Sequence, residues 1–277
     1  MKISIITATF NSVRTVADTL ESVLGQDYGD YELIVKDGGS VDDTLEICRR
    51  YEPRFGGRMR IIAEADKGIY DAMNQGIAAA TGDVVGILNS DDFYTAGDIL
   101  STVAAEFERH SDIDAVYGDV HYVDEHDMSK HVRYYSSRRF RRWQMRLGFM
   151  PAHPSFYCRR STYEKYRLDG RRIEDFKGNP DCAFFNTTYR IAADFECLLR
   201  LIYVNRIVTR YIHRDFVTMR TGGASSSGMA SHRQINRDHM RAFRENGVYS
   251  NYFLISLRYC YKVLELIKGR FCRMMQK

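Results

Sequence analysis

Proline, paired cysteine and long apolar runs are scarce in this chain, and each shortage narrows what it does. The 277 residues hold four prolines and six cysteines (Cys48, Cys158, Cys182, Cys197, Cys260, Cys272), and no two cysteines form a Cys-x-x-Cys pair. Scattered thiols exclude a small disulfide-stapled secreted scaffold and read as reduced, which fits a cytoplasmic location. No stretch of about 18 apolar residues offers a transmembrane span. The opening Met1-Lys2-Ile3-Ser4-Ile5-Ile6 turns polar at Thr7, too soon for a signal peptide. Repeats and low-complexity tracts are missing, apart from the small-residue run Thr221-Gly222-Gly223-Ala224-Ser225-Ser226-Ser227-Gly228. Hydrophobic residues make up 44% of the chain, enough to bury the core of one large domain or of a domain with an appendage.

The formal net charge of +4 is unevenly spread. Residues 216–277 hold eleven Lys and Arg against three Asp and Glu, a local balance of +8 that leaves −4 for the rest. A second basic cluster, Arg138, Arg139, Arg141, Arg142 and Arg146, surrounds Trp143. Both suit anionic partners or are solvated faces, and neither comes with a nucleic-acid-binding signature, so no nucleic acid is expected.

Along the first 120 residues short β-rich runs alternate with segments of helical spacing, the pattern of an α/β, mostly parallel sheet with crossover helices. Strands are predicted at about 2–7, 31–36, 59–63, 83–88 and 113–119, and helices at about 12–25, 41–52, 68–80 and 95–108. Gly25 and Gly82 are the predicted helix stops. From 125 to 215 the chain reads as irregular and aromatic-rich, with a helix near 194–205 and strands near 206–218. Parallel strands end on one edge, where open α/β sheets bind ligands. Each predicted strand end carries polar residues: Thr7-Ala8-Thr9-Phe10-Asn11, then Asp37-Gly38-Gly39-Ser40, then Glu64-Ala65-Asp66-Lys67-Gly68, with Asn74 a turn further, then Asn89-Ser90-Asp91-Asp92. Adjacent carboxylates after a strand suit a hard divalent cation holding a diphosphate, and equally suit the N-cap of a following helix.

These four segments, read as Ser4-Ile5-Ile6-Thr7-Ala8-Thr9-Phe10-Asn11, Val35 to Thr44, Asp66 to Gly76 and Leu88 to Asp92, resemble the inverting family 2 glycosyltransferases of GT-A (Rossmann-like) fold. Weaker similarity runs through Pro151-Ala152-His153-Pro154-Ser155, Ala193-Asp194-Phe195-Glu196 and Gly222 to Ser226. The subgroup it looks most like builds bacterial capsular, exopolysaccharide or O-antigen units. The resemblance implies that Thr7, Ala8, Thr9 and Asn11 line the nucleotide and Asp37 reads the base edge. It also implies that Asp66, Lys67, Gly68 and Asn74 face the ribose, diphosphate and donor sugar. Asn89, Ser90, Asp91 and Asp92 match the DxD-type element, with Asp92 the principal ligand for Mn2+ or Mg2+ and Asp91 a supporting one. Asn89 stands where some relatives have the first acid.

An inverting transferase needs a base to activate the acceptor hydroxyl. Asp194 matches the family's catalytic acid, with Glu196 as its rival and a helix cap as the alternative for both. His153 is either functional or a packing residue. Arg220 to Gly228 reads as a lid over the donor or as a linker, and His213 and His232 are candidate extra metal ligands. Residues 249–273 put Leu254, Leu257, Tyr261, Leu264, Ile267 and Phe271 at helical spacing with basic residues between them, an amphipathic helix for a membrane interface or for packing on the domain.

The chain is thus expected to form a catalytic domain over 1–218, split into a nucleotide-sugar half (1–120) and an acceptor half (121–218). A lid and C-terminal basic amphipathic helices follow over 219–277. The expected activity moves a sugar from a nucleotide sugar, UDP-linked by preference, to a glycan or lipid-linked saccharide acceptor at the inner face of the plasma membrane. A nucleotidyltransferase acting on sugar phosphates and a non-catalytic sugar-nucleotide-binding module are the alternatives. The first of these usually carries a Gly-rich basic loop after its first strand, which Thr7 to Asn11 does not provide.

Overall fold

The structure is a computed structural model that describes residues 1–168, 184–222 and 228–258. Strand β1 (Ile3–Thr9) is buried along its whole length, as a strand covered on both faces requires. It pairs in parallel with β2 (Tyr31–Asp37) on one side and β4 (Val84–Ile87) on the other, and β2 pairs in parallel with β3 (Met59–Ala63). Period-two alternation sends Ile6 and Ala8 to one face and Ile3 and Ile5 to the other, so the sheet divides two apolar cores. Helix α1 (Val16–Leu24) buries Val16, Leu20 and Val23 on the Ile3 face, and α3 (Ile69–Ala79) buries Ala72, Met73 and Ile77 on the Ile6 face. Helices α2 (Thr44–Tyr51) and α4 (Ile99–Arg109) also join the Ile3 side.

The sheet continues from β4 through β8 (Tyr157–Arg159), β6 (Ala115–Val123) and β9 (Thr209–Arg220) to β5 (Phe93–Tyr94), and β7 (His131–Tyr135) pairs with β6. Strand β8 runs antiparallel to both neighbours, whereas β6 and β9 are parallel with a register shift near Asp119. Gly86 sits opposite Tyr157, whose ring passes so close that a Cβ there would lie 2.3 Å from it. The Tyr157 hydroxyl meets that of Tyr94 at 2.6 Å, joining β8 to β5 inside the core.

The mixed α/β layout matches the expected fold class, and the parallel strands lie where the sequence placed them. Differences fall later in the chain. The stretch read as irregular contains β7, β8 and the short helix α5 (Arg160–Lys165). The helix expected near 194–205 is α6 (Ala193–Leu198) followed by a wider π-type turn, Leu199–Val204, and one strand, β9, replaces those expected near 206–218. Gly25 caps α1, but α3 stops at Ala80 before Gly82. The boundaries drawn at 120 and 218 fall inside β6 and β9.

The C-terminal helices are not peripheral. Helix α7 (Gly228–Glu245) places His239 face to face with Phe195 of α6 at 3.8 Å and Phe243 edge-on to the same ring at 5.4 Å. Ile255 of the helical turn at 252–258 is buried in that core. Residues 259–273 of the predicted amphipathic helix lie outside the described residues, as do 223–227 of the predicted lid. Among the described residues no helix is long and apolar enough to cross a membrane.

Candidate active site

The ends of β1, β2, β3 and β4 meet along one edge, and short polar bonds stitch their loops together. The Ser12 hydroxyl meets that of Ser90 at 2.8 Å, Asn11 N–H donates to Ser40 Oγ at 2.9 Å, and Val41 N–H donates to Asn11 Oδ1 at 3.0 Å. Asn11 takes a left-handed backbone (φ 49), a conformation asparagine tolerates better than most residues. Within this frame Thr7 Oγ1, Thr9 Oγ1, Asn89 Oδ1 and Asp92 Oδ2 are buried without a hydrogen-bond partner among the described residues. Buried polar atoms are nearly always paired, so four unpaired ones on adjoining strand ends mark a place shaped for a polar ligand. Ala8, between the two threonines in sequence, is buried on the opposite face of the sheet.

The second strand end holds a residue that sequence reasoning missed. Lys36 is fully buried, and its ammonium donates to Asp37 O at 2.8 Å, Glu64 O at 2.5 Å and Asp66 Oδ2 at 3.3 Å. A charge so placed must be compensated, and here it fixes the Asp66 carboxylate against Gly38, where a Cβ would lie 2.6 Å from Asp66 Oδ2. Asp66 Oδ1 in turn accepts Gly68 N–H at 2.9 Å, and Gly68 (φ +113) opens α3. Lys67 is exposed at that entrance, with its backbone N–H donating to Asp71. The only sign in the sequence was a lysine inside an apolar strand.

Two expected donor contacts are otherwise engaged. Asp37 is buried and accepts Gly39 N–H, Ser40 N–H and the Ser40 hydroxyl, so its carboxylate shapes its own turn. Asn74 is buried too, accepting Phe184 N–H and Phe185 N–H and donating to Phe185 O at 2.8 Å. It pins the segment before α6 rather than facing the donor loop.

After β4 the turn Asn89–Asp92 closes through Asp92 N–H to Asn89 O, and Thr19 of α1 holds Asp92 O at 2.7 Å. Asp92 is buried, Asp91 only partly so. Burial pushes the Asp92 carboxyl well above the usual carboxylate range, with the neighbouring Asp91 adding to the effect, and burial raises Asp91 as well. Arg220, at the end of β9, donates to Asp91 O, pairs with Asp18 and lies 5.1 Å over the Phe93 ring. Two carboxylates with raised pKa values and one unpaired oxygen are the donor set a hard divalent cation satisfies, so these residues fit Mn2+ or Mg2+. Among the described residues no three His, Cys, Asp or Glu side chains converge as a metal nest, so His213 and His232 do not join the pair. His213 is exposed on β9 beside Tyr211.

Asp194, in the first turn of α6, opens onto a cavity of about 310 Å³ bounded by Tyr122, Tyr135, Met150, His153, His239 and others. Burial pushes its carboxyl up to about 6. Tyr122 of β6 lines the same cavity as Asp194. Glu196 points elsewhere. It is buried, pairs with Arg200 at 3.1 Å and accepts from Asn246 at 3.1 Å, while Arg200 also donates to Tyr166 O and Phe184 O. The expected rival to Asp194 is a structural ion pair. His153 is buried edge-on to Phe185 at 5.6 Å, and burial lowers its pKa to about 4, so it is neutral at physiological pH.

The profile of "Glycosyl transferase family 2" matches residues 4–194, which take in every strand end above and stop at Asp194. The chain belongs to glycosyl transferase family 2. It is therefore a glycosyltransferase, as its motifs suggested. A PGL/p-HBAD biosynthesis glycosyltransferase of Mycobacterium tuberculosis is 32% identical over 210 residues, 76% of this chain and 73% of that one. Among solved structures, S. aureus TarS 1–349 in complex with UDP-GlcNAc superposes with a TM-score of 0.64 at 18% identity, covering 88% of this chain and 66% of that one. The mannosyltransferase PcManGT of Pyrobaculum calidifontis, with GDP-Man and Mn2+, gives a TM-score of 0.58 at 15% identity over 99% of this chain and 83% of its own. This family 2 chain spans 39% of the longer TarS chain. The structural likenesses establish the GT-A-like fold.

Proposed function

We propose that this family 2 protein is an inverting, metal-dependent glycosyltransferase that moves a sugar from a nucleotide sugar to a hydroxyl of a glycan or lipid-linked saccharide. The observation that carries the reading is the set of unpaired buried polar atoms at the strand ends, Asp92 Oδ2 among them, together with the Asp194 carboxylate lining a separate cavity. We assign the cavity to the acceptor and the strand-end edge to the donor. A UDP-linked donor is favoured by the UDP-GlcNAc complex of TarS, and divalent metal use by the Mn2+ complex of PcManGT.

The chain's own residues do the following. Thr7, Thr9 and Asn89 offer unpaired polar atoms to the nucleotide, and Lys36 holds Asp66 beside the start of α3, where helix N–H groups favour diphosphate oxygens. Asp91 and Asp92 hold Mn2+ or Mg2+, which when bound neutralises charge on the departing diphosphate. Asp92, whose Oδ2 is unpaired, would be the principal ligand and the less buried Asp91 a supporting one. Asp194 accepts the acceptor's hydroxyl proton as that oxygen attacks the anomeric carbon. A pKa of about 6 leaves it ionised at neutral pH while keeping it more basic than an ordinary aspartate. Arg220 braces the carboxylate turn through its bond to Asp91 O. We place the enzyme in bacterial surface polysaccharide or glycolipid assembly, on the cytoplasmic side of the membrane.

Incubation with a panel of nucleotide sugars and Mn2+ or Mg2+, following nucleoside diphosphate release, tests the reading. Metal-dependent release with at least one UDP-sugar is expected. Absence of turnover with every donor and with saccharide acceptors would sink it.

A further inference from the structure

The helical turn at 252–258 has apolar residues on both sides. Ile255 is buried in the core, yet Phe253 and Leu257 on the opposite side stand 72% and 37% exposed, and Tyr252 is 57% exposed. A helix that packs on a domain needs one apolar face, so the second is unexplained by folding. Beside it the short 3₁₀ segment Arg142–Leu147 buries Met145 and leaves Trp143, the chain's one tryptophan, 59% exposed. Arg146 joins the two segments: its Nε donates to Tyr249 O at 2.8 Å, its guanidinium lies 5.5 Å over the Tyr249 ring, and its carbonyl accepts the Ser250 hydroxyl at 2.6 Å. Stretches a hundred residues apart in the chain thus meet at Arg146, with exposed aromatic residues on either side of the junction in sequence.

That surface carries a basic cluster. Arg138, Arg139, Arg141 and Arg142 are all exposed. We propose that this face rests on an anionic lipid bilayer, with Trp143, Tyr252, Phe253 and Leu257 seated at the headgroup boundary and the arginines against lipid phosphates. Charge complementarity selects this occupant, because a second copy meeting the same face would set two arginine clusters against each other. Exposed Phe253 and Leu257 gain from leaving water in a bilayer, and a nucleic-acid backbone offers them nothing comparable.

The surface also bears on the acceptor. Arg139, Phe140, Gln144 and Arg258 line the cavity that holds Asp194, so its wall is continuous with the bilayer-facing segments. Given the acceptor cavity proposed above, the acceptor is a saccharide carried on a membrane lipid and presented from the bilayer surface.

Trp143 is a built-in reporter. The full chain is mixed with phosphatidylcholine vesicles, with or without about a third phosphatidylglycerol, and sedimentation and Trp143 emission are followed. Binding and a blue shift with the anionic vesicles are expected. The pair Arg141→Gln and Arg142→Gln weakens binding about 25-fold, about fivefold for each charge. Tyr252→Ser with Phe253→Ser weakens it at unchanged charge. None of these four residues lines the cavity, so titration of UDP measures the donor reading separately: vesicle binding without UDP binding would remove the proposed function and leave this surface standing. Wild-type binding by the arginine variant, equal binding to neutral vesicles, an unshifted Trp143, or a dimer held by the aromatic face would each overturn the proposal.

Discussion

Three charged residues do three different jobs, and their partners separate them. Asp194 carries a carboxyl raised to about 6, so its charged form is disfavoured by folding above that pH. Asp194→Asn therefore leaves thermal stability at pH 7.5 unchanged or higher, while transfer falls by about 10²–10⁴, the usual worth of a general base. If Asp194 is the base as proposed, wild-type kcat/KM is expected to rise with pH and level off above about 6, to be checked by a pH–rate profile. Glu196 is the opposite case. Glu196→Ala strands the buried Arg200 and costs about 3–5 kcal/mol, to be read as a lowered unfolding midpoint in urea. Lys36 positions Asp66 without reaching the donor. Lys36→Met raises the donor KM about tenfold, the worth of one charge-assisted bond, and has little further effect in an Asp66→Asn background.

At the scale of elements, close approach decides what a position tolerates. Strand β4 passes Tyr157 of β8 with no room for a side chain at Gly86, so Gly86→Ala costs about 1–3 kcal/mol by overpacking, measurable by denaturant unfolding. The parallel strands were legible in the sequence because continuous apolar runs ending in polar clusters have few other uses. The antiparallel strands were not. Strand β8 is three residues long and β5 two, both too short for periodicity to speak. The same contrast holds in the site: Asp91, Asp92 and Asp194 became candidates from their places after a strand and at a helix start. The demotion of Asn74 and Glu196 was not readable, because it depends on Phe184, Phe185 and Arg200 arriving from elsewhere in the chain.

At the scale of the whole molecule, the residues before and after 120 share one sheet, and the C-terminal helices complete its core. His239 and Arg258 line the cavity around Asp194, and Phe243 and Ile255 pack beneath it. A chain ending at residue 222 therefore uncovers Phe195 and is expected to aggregate rather than persist as a free catalytic domain, which size-exclusion chromatography would show. The central claim is that donor binding and proton transfer belong to separate carboxylates, the Asp91–Asp92 turn and Asp194. Calorimetric titration of Asp194→Asn with a UDP-sugar in Mn2+, beside its rate of nucleoside diphosphate release to acceptor, tests this most directly. We predict wild-type affinity with turnover lost. Turnover within a few-fold of wild type, or affinity lost together with turnover, would contradict the assignment.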